Sequence, residues 1–215
     1  MDILLMRVEE ELTWADIEGY LGCLSRARRA AIERKKQEGD RINALLSRLL
    51  LMSELSARTG ITERKIKFTY GTNGKPYLKG RELEFSLSHT DGAICAAFSK
   101  TGEIGIDVER RDRRVSDTLY KRVLSEEEQF HLTSSADFMR FWVQKEAFLK
   151  RLGIGITRDL RGVNSLELPD TTAIDCGELF LGASGKGALD AIVREISVEE
   201  VLSRFGACNS VKNGV

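Results

Sequence analysis

The sequence predicts an α+β fold. Helical and strand-like segments alternate irregularly in both halves of the chain, which favours this class over a doubly wound parallel sheet. The hydrophobic content of 42% is ordinary for a globular protein. The length of 215 residues predicts one large domain or two closely packed halves.

The elements follow from hydrophobic spacing and from capping residues. Apolar residues recur at helical spacing after Asp40, a helix cap, as far as Gly60, a helix stop. Ser125 opens a capping box, and Gly153 closes a long helix. The predicted helices are 14–20, 24–38, 40–57, 115–124, a short one from 126, 136–152 and 198–205. The predicted strands are 3–8, 66–69, 83–88, 93–99, 104–109, 163–168, 173 or 174 to 181, and 188–196.

Charge and hydropathy exclude several classes of protein. The 33 basic and 33 acidic residues give zero net charge, which argues against a whole-chain affinity for nucleic acid or an anionic membrane. No apolar run approaches the ~20 residues that span a bilayer, and the first residues lack signal-peptide features. We therefore expect a cytoplasmic protein. Cys23, Cys95, Cys176 and Cys208 are far apart, so we expect reduced, mostly buried thiols.

Two acids stand out on one predicted strand. Asp107 and Glu109 share a face of the strand 104–109, because strand side chains alternate. Two close carboxylates destabilise each other unless a cation or hydrogen-bond donors neutralise them. The pair is therefore a candidate ligand set for a hard metal ion, and the alternative is an exposed edge with two solvated acids.

A helical stretch carries a second group of polar residues. Trp142, Glu146 and Lys150 follow one another at four-residue steps and share one helix face. Glu146 is a candidate metal ligand or general base, or simply half of a helix ion pair. Two further candidates are Lys75, after a glycine turn, and His89, at a strand end, although each is also an ordinary turn or structural residue.

The order and spacing of four segments resemble the Sfp-type 4′-phosphopantetheinyl transferases. The segments are Gly74-Lys75-Pro76-Tyr77-Leu78, Phe85-Ser86-Leu87-Ser88-His89, Gly105-Ile106-Asp107-Val108-Glu109 and Trp142 to Lys150. The resemblance spans about residues 68 to 156. It implies two similar α+β halves packed as a pseudo-dimer with coenzyme A between them, and we place the halves at 1–103 and 104–215.

The resemblance also implies a reaction and its residues. Phosphopantetheine passes from coenzyme A to a serine of an acyl or peptidyl carrier protein, and adenosine 3′,5′-bisphosphate is released. Mg²⁺ is implied on Asp107, Glu109 and Glu146, with Glu146 also as general base and Lys150 stabilising phosphate charge. The implied coenzyme A contacts are Lys75, Pro76, Ser88, His89, Arg26 and Arg29, with Lys75 and His89 on the 3′-phosphate. We expect a monomer.

Two features leave alternatives open. Many family members have a nucleotide-contacting arginine where this chain has Asn43, and Arg41 and Arg48 point in other directions on a helix. The basic stretch 110–114 is either a solvated loop or a docking surface for an acidic carrier. The rival functions are a noncatalytic phosphate- or RNA-binding module built on 25–36 and a degenerate carrier-protein binder. Neutral charge and the intact acids argue against these rivals.

Overall fold

Two long helices each lie on a β-sheet in the computed structural model, which describes residues 1–155 and 159–206. The helices are α1 (Trp14–Ile17), α2 (Arg26–Glu33), α3 (Glu38–Thr59), α4 (Asp117–Val123), α5 (Glu126–Phe130), α6 (Ser135–Leu152) and α7 (Val198–Ser203). The strands are β1 (Asp2–Arg7), β2 (Phe68–Tyr70), β3 (Pro76–Leu78), β4 (Glu84–Thr90), β5 (Ala93–Ser99), β6 (Gly105–Arg110), β7 (Thr171–Asp175), β8 (Leu179–Ser184) and β9 (Ile192–Glu195). Short 3₁₀ helices cover Glu18–Cys23, Glu63–Lys65 and Ser165–Glu167.

The same unit occurs in each half. A first strand leads to the long helix, and two antiparallel strands follow, of which the second lies in the centre of the three. The first half has the order β4-β5-β1 and carries α3, and the second half has the order β7-β8-β6 and carries α6. This repetition of one topology confirms the prediction of an α+β fold with two similar halves.

The two sheets pack face to face, with the long helices outside. Along β1, Leu4 and Met6 join the core beneath α3, whereas Ile3 and Leu5 join a core that contains Ile106 of β6. The alternation of strand side chains produces these two cores on opposite faces of one strand. The opposite face of β6 is therefore left for α6, and Asp107 lies on that face.

The last described residues return to the first half. Strand β9 pairs with β1 in parallel, and α7 packs on α3. The buried carboxylate of Glu54 on α3 accepts hydrogen bonds from Arg58 at 3.1 Å and Arg204 at 2.7 Å. The boundary at 103 and 104 falls between β5 and β6, and the assignment of residues to two domains stays a prediction.

Two predicted strands are wrong in detail. Residues 163–168 contain a 3₁₀ helix instead of a strand, because the Asn164 side chain accepts a hydrogen bond from the Leu166 amide. The single strand 174–181 is a hairpin of β7 and β8. The Asp175 carboxylate accepts from the Gly177 amide at 3.0 Å, and Gly177 has φ +79°, so the chain reverses there.

Membrane crossing and cysteine chemistry were also predicted from sequence. Within the described ranges no helix combines the length and the apolar character needed to cross a bilayer. Cys95 is buried and Cys176 is partly buried, and both carry free thiols. Cys208 lies outside the described residues.

Candidate active site

The halves join along β4 and β6, which belong to different sheets. The Ser86 hydroxyl accepts a hydrogen bond from the Ile106 amide at 3.0 Å. Ser88 and Thr90, which follow at alternate positions of β4, donate to acids of β6. One polar face of β4 is thus matched to β6, and it fixes how the acids of the second half meet the first half.

Two glycines bring α6 into contact with the sheet. A Cβ on Gly105 would lie 1.8 Å from the carbonyl oxygen of Ala147, and a Cβ on Gly182 would lie 1.8 Å from that of Val143. The helix backbone therefore rests directly on β6 and β8. Gly182 pairs with Asp107, so this close approach sets the distance between Asp107 and the acidic face of α6.

Three side chains form a compact polar cluster at this junction. The Lys150 ammonium donates to the Ser88 hydroxyl and to Asp107 Oδ1, each at 2.7 Å. The Ser88 hydroxyl donates to the same Asp107 oxygen at 2.7 Å. Burial alone would lower the pKa of Lys150, but the adjacent Asp107 carboxylate outweighs it and raises that pKa. The lysine therefore keeps its charge at the cluster.

Glu146 lies beside this cluster and is almost fully buried, with 3% of its surface exposed. Burial, and next the charge of Asp107, raise the pKa of Glu146 to about 7. Glu146 Oε1 and Asp107 Oδ2 are both buried without a hydrogen-bond partner. Since buried polar atoms are normally satisfied, these two oxygens mark a place where a cation or donor belongs.

Glu109, the third predicted acid, forms an ion pair and a hydrogen bond within the protein. Its carboxylate binds the Arg113 guanidinium and accepts from the Thr90 hydroxyl at 3.0 Å. Burial, opposed by Arg113, raises the pKa of Glu109. Within residues 1–155 and 159–206, no group of three or more His, Cys, Asp or Glu side chains is arranged to hold a metal ion.

The residues present nevertheless fit a magnesium ion in part. Asp107 and Glu146 offer two unpartnered carboxylate oxygens from two different elements, and Mg²⁺ is commonly held by one or two carboxylates with substrate phosphates and water. Glu109 has its charge compensated by Arg113. The ligand set Asp107, Glu109 and Glu146 stays a prediction.

Lys75 joins the two halves. Its ammonium donates to the carbonyl oxygens of Arg151 at 2.8 Å and Ile104 at 3.2 Å, and burial lowers its pKa. Pro76 begins β3 directly after it, and Asn73 donates to the Gly153 carbonyl at 2.9 Å. The tip of the β2–β3 hairpin thus lies on the end of α6, and the predicted role of Lys75 and Pro76 in coenzyme A binding stays untested.

The other predicted coenzyme A contacts are dispersed. His89 lies on the opposite face of β4 from Ser88, and its side chain reaches solvent. The protein atoms around the ring, and next the charges of Lys150 and Lys35, lower the pKa of His89. Arg26 is exposed on α2, whereas Arg29 is partly buried and donates to the Leu24 carbonyl at 2.9 Å. The structure brings Ser88 to the acids, but it shows no shared hydrogen bond between Lys75 and His89.

The start of α3 also reaches this region. Asn43 donates from its side-chain amide to the Thr90 carbonyl at 3.4 Å. Arg41 donates to the Lys35 carbonyl at 3.3 Å, and Arg48 lies over the Phe68 ring. Neither arginine takes the position of Asn43.

Sequence reasoning missed Ser86, Thr90 and Arg113. A signal was present for the first two, because Ser86, Ser88 and Thr90 alternate along the strand with Phe85 and Leu87, which belong to the other face. A polar face on a half-buried strand indicates a polar partner. Arg113 is four residues after Glu109, outside any regular element, so its contact with Glu109 had no periodicity to reveal it.

Most arginines of the basic stretch 110–114 form ion pairs with acidic side chains. Arg110 pairs with Asp112 at 2.9 Å, and Arg111 pairs with Asp175 and lies over the Phe180 ring. Arg114 is exposed. Because Arg113 also pairs with Glu109, Arg114 is the one arginine of this stretch for which the structure shows no ion pair among the described residues.

Two family models of known proteins match most of this chain. A family model described as "4'-phosphopantetheinyl transferase, N-terminal" matches residues 12–101, and one described as "4'-phosphopantetheinyl transferase superfamily" matches residues 103–191. The chain belongs to the 4′-phosphopantetheinyl transferase superfamily. The Sfp-type resemblance is thus confirmed, and the rival of a phosphate- or RNA-binding module is not favoured.

Individual members of this superfamily share modest sequence identity with this chain. The L-aminoadipate-semialdehyde dehydrogenase-phosphopantetheinyl transferase of Saccharomyces cerevisiae is 29% identical over 74% of this chain and 64% of its own length. The 4′-phosphopantetheinyl transferase HetI of Nostoc is 36% identical over 51% of each chain. The transferase Sfp of Bacillus subtilis is 26% identical over 80% of this chain and 83% of its own length. The chain thus spans between half and two thirds of the length of the Saccharomyces cerevisiae and Nostoc relatives.

Proposed function

We propose that this protein transfers 4′-phosphopantetheine from coenzyme A to a serine hydroxyl of an acyl or peptidyl carrier protein. The observation that carries the proposal is the buried convergence of Asp107, Glu146 and Lys150 where β4, β6 and α6 meet. Family membership and the names of the relatives support the same activity. Action in the cytoplasm as a monomer stays a prediction.

The proposed reaction is a displacement at phosphorus. The serine oxygen of the carrier forms a bond to the β-phosphorus of coenzyme A, and the bond from that phosphorus to adenosine 3′,5′-bisphosphate breaks. The serine proton passes to Glu146, whose burial gives it a pKa of about 7, close to the range where a general base works best. Lys150 supplies positive charge to the phosphate oxygens.

A magnesium ion, when bound, would neutralise pyrophosphate charge. Asp107, Glu109 and Glu146 are the residues that we propose hold it. Lys150 donates a hydrogen bond to Asp107 Oδ1, and Asp107 Oδ2 has no hydrogen-bond partner in the protein. The Ser88 hydroxyl donates a hydrogen bond to Asp107, so Ser88 is a positioning residue of the site.

Intact-mass spectrometry of an apo carrier protein tests the proposal. Incubation with coenzyme A and Mg²⁺ should add one phosphopantetheine mass. Asp107→Ala should slow this strongly and regain part of the rate at high Mg²⁺, because an oxygen ligand is lost. Asp190→Asn, a change at an exposed acid, is the matched control and should react like the wild type. No mass gain in wild-type reactions with several carriers would refute the activity.

A further inference from the structure

Glu109 differs from the other two acids of the site in how its oxygens are used. Glu109 Oε1 accepts a hydrogen bond from the Arg113 guanidinium, and Oε2 accepts one from the Thr90 hydroxyl at 3.0 Å. Asp107 Oδ2 and Glu146 Oε1 are buried and have no hydrogen-bond partner among the described residues. A cation can therefore contact Asp107 and Glu146 directly, whereas the charge of Glu109 is already matched.

The contact of Glu109 with Arg113 affects a metal ion more than its contact with Thr90. A hydroxyl is neutral and leaves the carboxylate charge in place, and a carboxylate oxygen has lone pairs for a further contact. A guanidinium is always charged, so Arg113 neutralises the carboxylate. Arg113 and a divalent ion therefore require the same negative charge of Glu109.

The placement of Arg113 allows its guanidinium to move away from Glu109. Arg113 follows Glu109 by four residues, lies between β6 and α4 outside any regular element, and has 41% of its side chain exposed. Its guanidinium carbon lies 5.6 Å from the centre of the Trp142 ring. Trp142 is partly buried on α6, and an aromatic face stabilises a cation. Solvent and this ring thus provide surroundings for Arg113 other than Glu109.

Lys150, the other cation of the site, has a different relation to its acid. It donates at 2.7 Å to the Ser88 hydroxyl and to Asp107 Oδ1, and Oδ2 of the same carboxylate remains without a partner among the described residues. Lys150 therefore leaves an oxygen of Asp107 accessible. When all three acids are ionised, they exceed Lys150 and Arg113 by one formal charge, so a divalent ion is balanced best if one cation withdraws. Arg113 is the cation that neutralises a predicted ligand.

We propose that Arg113 competes with magnesium for Glu109 and so determines how tightly the site holds the metal ion. The inference rests on the proposed function, which assigns Glu109 to the ligand set. The apparent affinity of a ligand falls in proportion to the fraction of molecules that are competent to bind it. Molecules in which Glu109 is paired with Arg113 lack one of the three ligands, so removal of the arginine charge should strengthen metal binding.

Calorimetric titration with Mg²⁺, in the absence of coenzyme A and carrier protein, tests the competition. Arg113→Gln should lower the dissociation constant of Mg²⁺ by about two- to fivefold, the range expected when a partly exposed ion pair no longer competes. Arg114→Gln removes the same charge at the next residue, an exposed arginine without an ion pair among the described residues. At physiological ionic strength this control should leave the dissociation constant nearly unchanged.

A second set of variants separates competition for Glu109 from a general effect of charge. Glu109→Gln keeps the size of the side chain and removes the carboxylate that both cations require. In this background Arg113→Gln should no longer change Mg²⁺ affinity, because the two residues act through one contact. An equal gain from Arg113→Gln with and without Glu109→Gln would overturn the inference. Equal Mg²⁺ affinity in the wild type and Arg113→Gln, or no Mg²⁺ binding by either, would also overturn it.

The carrier-modification assay distinguishes a failure of this inference from a failure of the proposed function. A wild type that modifies a carrier, together with unchanged Mg²⁺ affinity in Arg113→Gln, would refute the competition and leave the function standing. A wild type that modifies no carrier, together with the expected Mg²⁺ affinities, would refute the function and leave the competition standing.

Discussion

Glu146 is the residue on which the proposed chemistry depends most directly. Glu146→Gln keeps the size and one carbonyl oxygen but cannot accept the serine proton. Turnover should fall by roughly 10² to 10⁴, the usual contribution of a general base, while coenzyme A affinity changes little. Initial rates and calorimetry measure the two effects, and Glu199→Gln at an exposed position is the control. Near wild-type turnover in Glu146→Gln would exclude the base assignment.

Lys75 combines a structural contact with a predicted ligand contact. Its ammonium has three donors, of which two hold the carbonyl oxygens of Ile104 and Arg151. The third donor is left for a phosphate oxygen. Lys75→Ala should therefore weaken coenzyme A by about tenfold or more and 3′-dephospho-coenzyme A much less.

Calorimetry with both nucleotides measures this difference, and Lys79→Ala, at an exposed lysine after β3, serves as the control. Equal losses for the two nucleotides would leave Lys75 as a structural contact between the hairpin and α6.

At the scale of elements, the contact between α6 and its sheet is unusually close. Gly182→Ala would place a methyl group against the Val143 carbonyl, so helix and strand must separate. The free energy of unfolding should fall by about 1–3 kcal/mol or more, and phosphopantetheine transfer should slow because Glu146 moves from Asp107. Denaturant unfolding measures the loss. Gly39→Ala, which meets no atom within 4 Å, is the control, and an equally stable Gly182→Ala variant would contradict the packing argument.

A buried ion pair holds α5 against the other side of α6. Glu128 and Lys145 are both fully buried, and Glu128 also accepts hydrogen bonds from Ser165 and Ser125. Burial alone would raise the pKa of Glu128, but these donors outweigh it and hold the pKa below its ordinary value of 4.5. The stabilisation is therefore complete above pH 4.5 and is lost as pH falls through the lower folded value.

Unfolding free energies measured from pH 7 down to pH 3 should decline more steeply for the wild type than for Glu128→Gln, which has no carboxylate to protonate. Glu127→Gln, at an exposed neighbour, should follow the wild type. Parallel declines for wild type and Glu128→Gln would show that this pair does not contribute to acid sensitivity.

The elements that the sequence predicted well are those with long periodic patterns. Helix α6 was expected at 136–152 and spans Ser135–Leu152, because apolar spacing and Gly153 define it locally. The β7–β8 hairpin was missed because its turn depends on one Asp175 side-chain bond and one left-handed glycine within a continuous apolar-rich stretch. The 3₁₀ helix after Asn164 is held by the Asn164 side chain and also by Glu128, which is distant in sequence and accepts from the Ser165 amide.

The candidate site was predictable only in part for the same reason. Asp107, Glu146 and Lys150 carry local periodic signals, and they do lie together. The position of Lys75 between Ile104 and Arg151 depends on how the two halves pack. No local pattern contains that information, so the residue roles there stay predictions.

For the whole molecule, the net charge is zero, but individual surface regions are charged and can contact a carrier protein. Arg114 is exposed beyond β6, whereas Arg111 is paired with Asp175. Arg114→Glu should raise the KM for an acidic carrier, most strongly at low ionic strength, and leave coenzyme A binding unchanged. Lys186→Glu, an exposed change elsewhere, controls for net charge. An unchanged carrier KM at low salt would remove Arg114 from the docking surface.

The parallel pairing of β9 with β1 has a consequence during synthesis. A ribosome releases β1 long before β9, so the nascent chain carries an open strand edge beside β1 until β9 emerges. Open edges recruit strands from other chains, and pairing between distant segments is slow to form. A chain that stops before Ile192 keeps that edge permanently, and premature termination should therefore yield aggregates instead of a smaller folded protein.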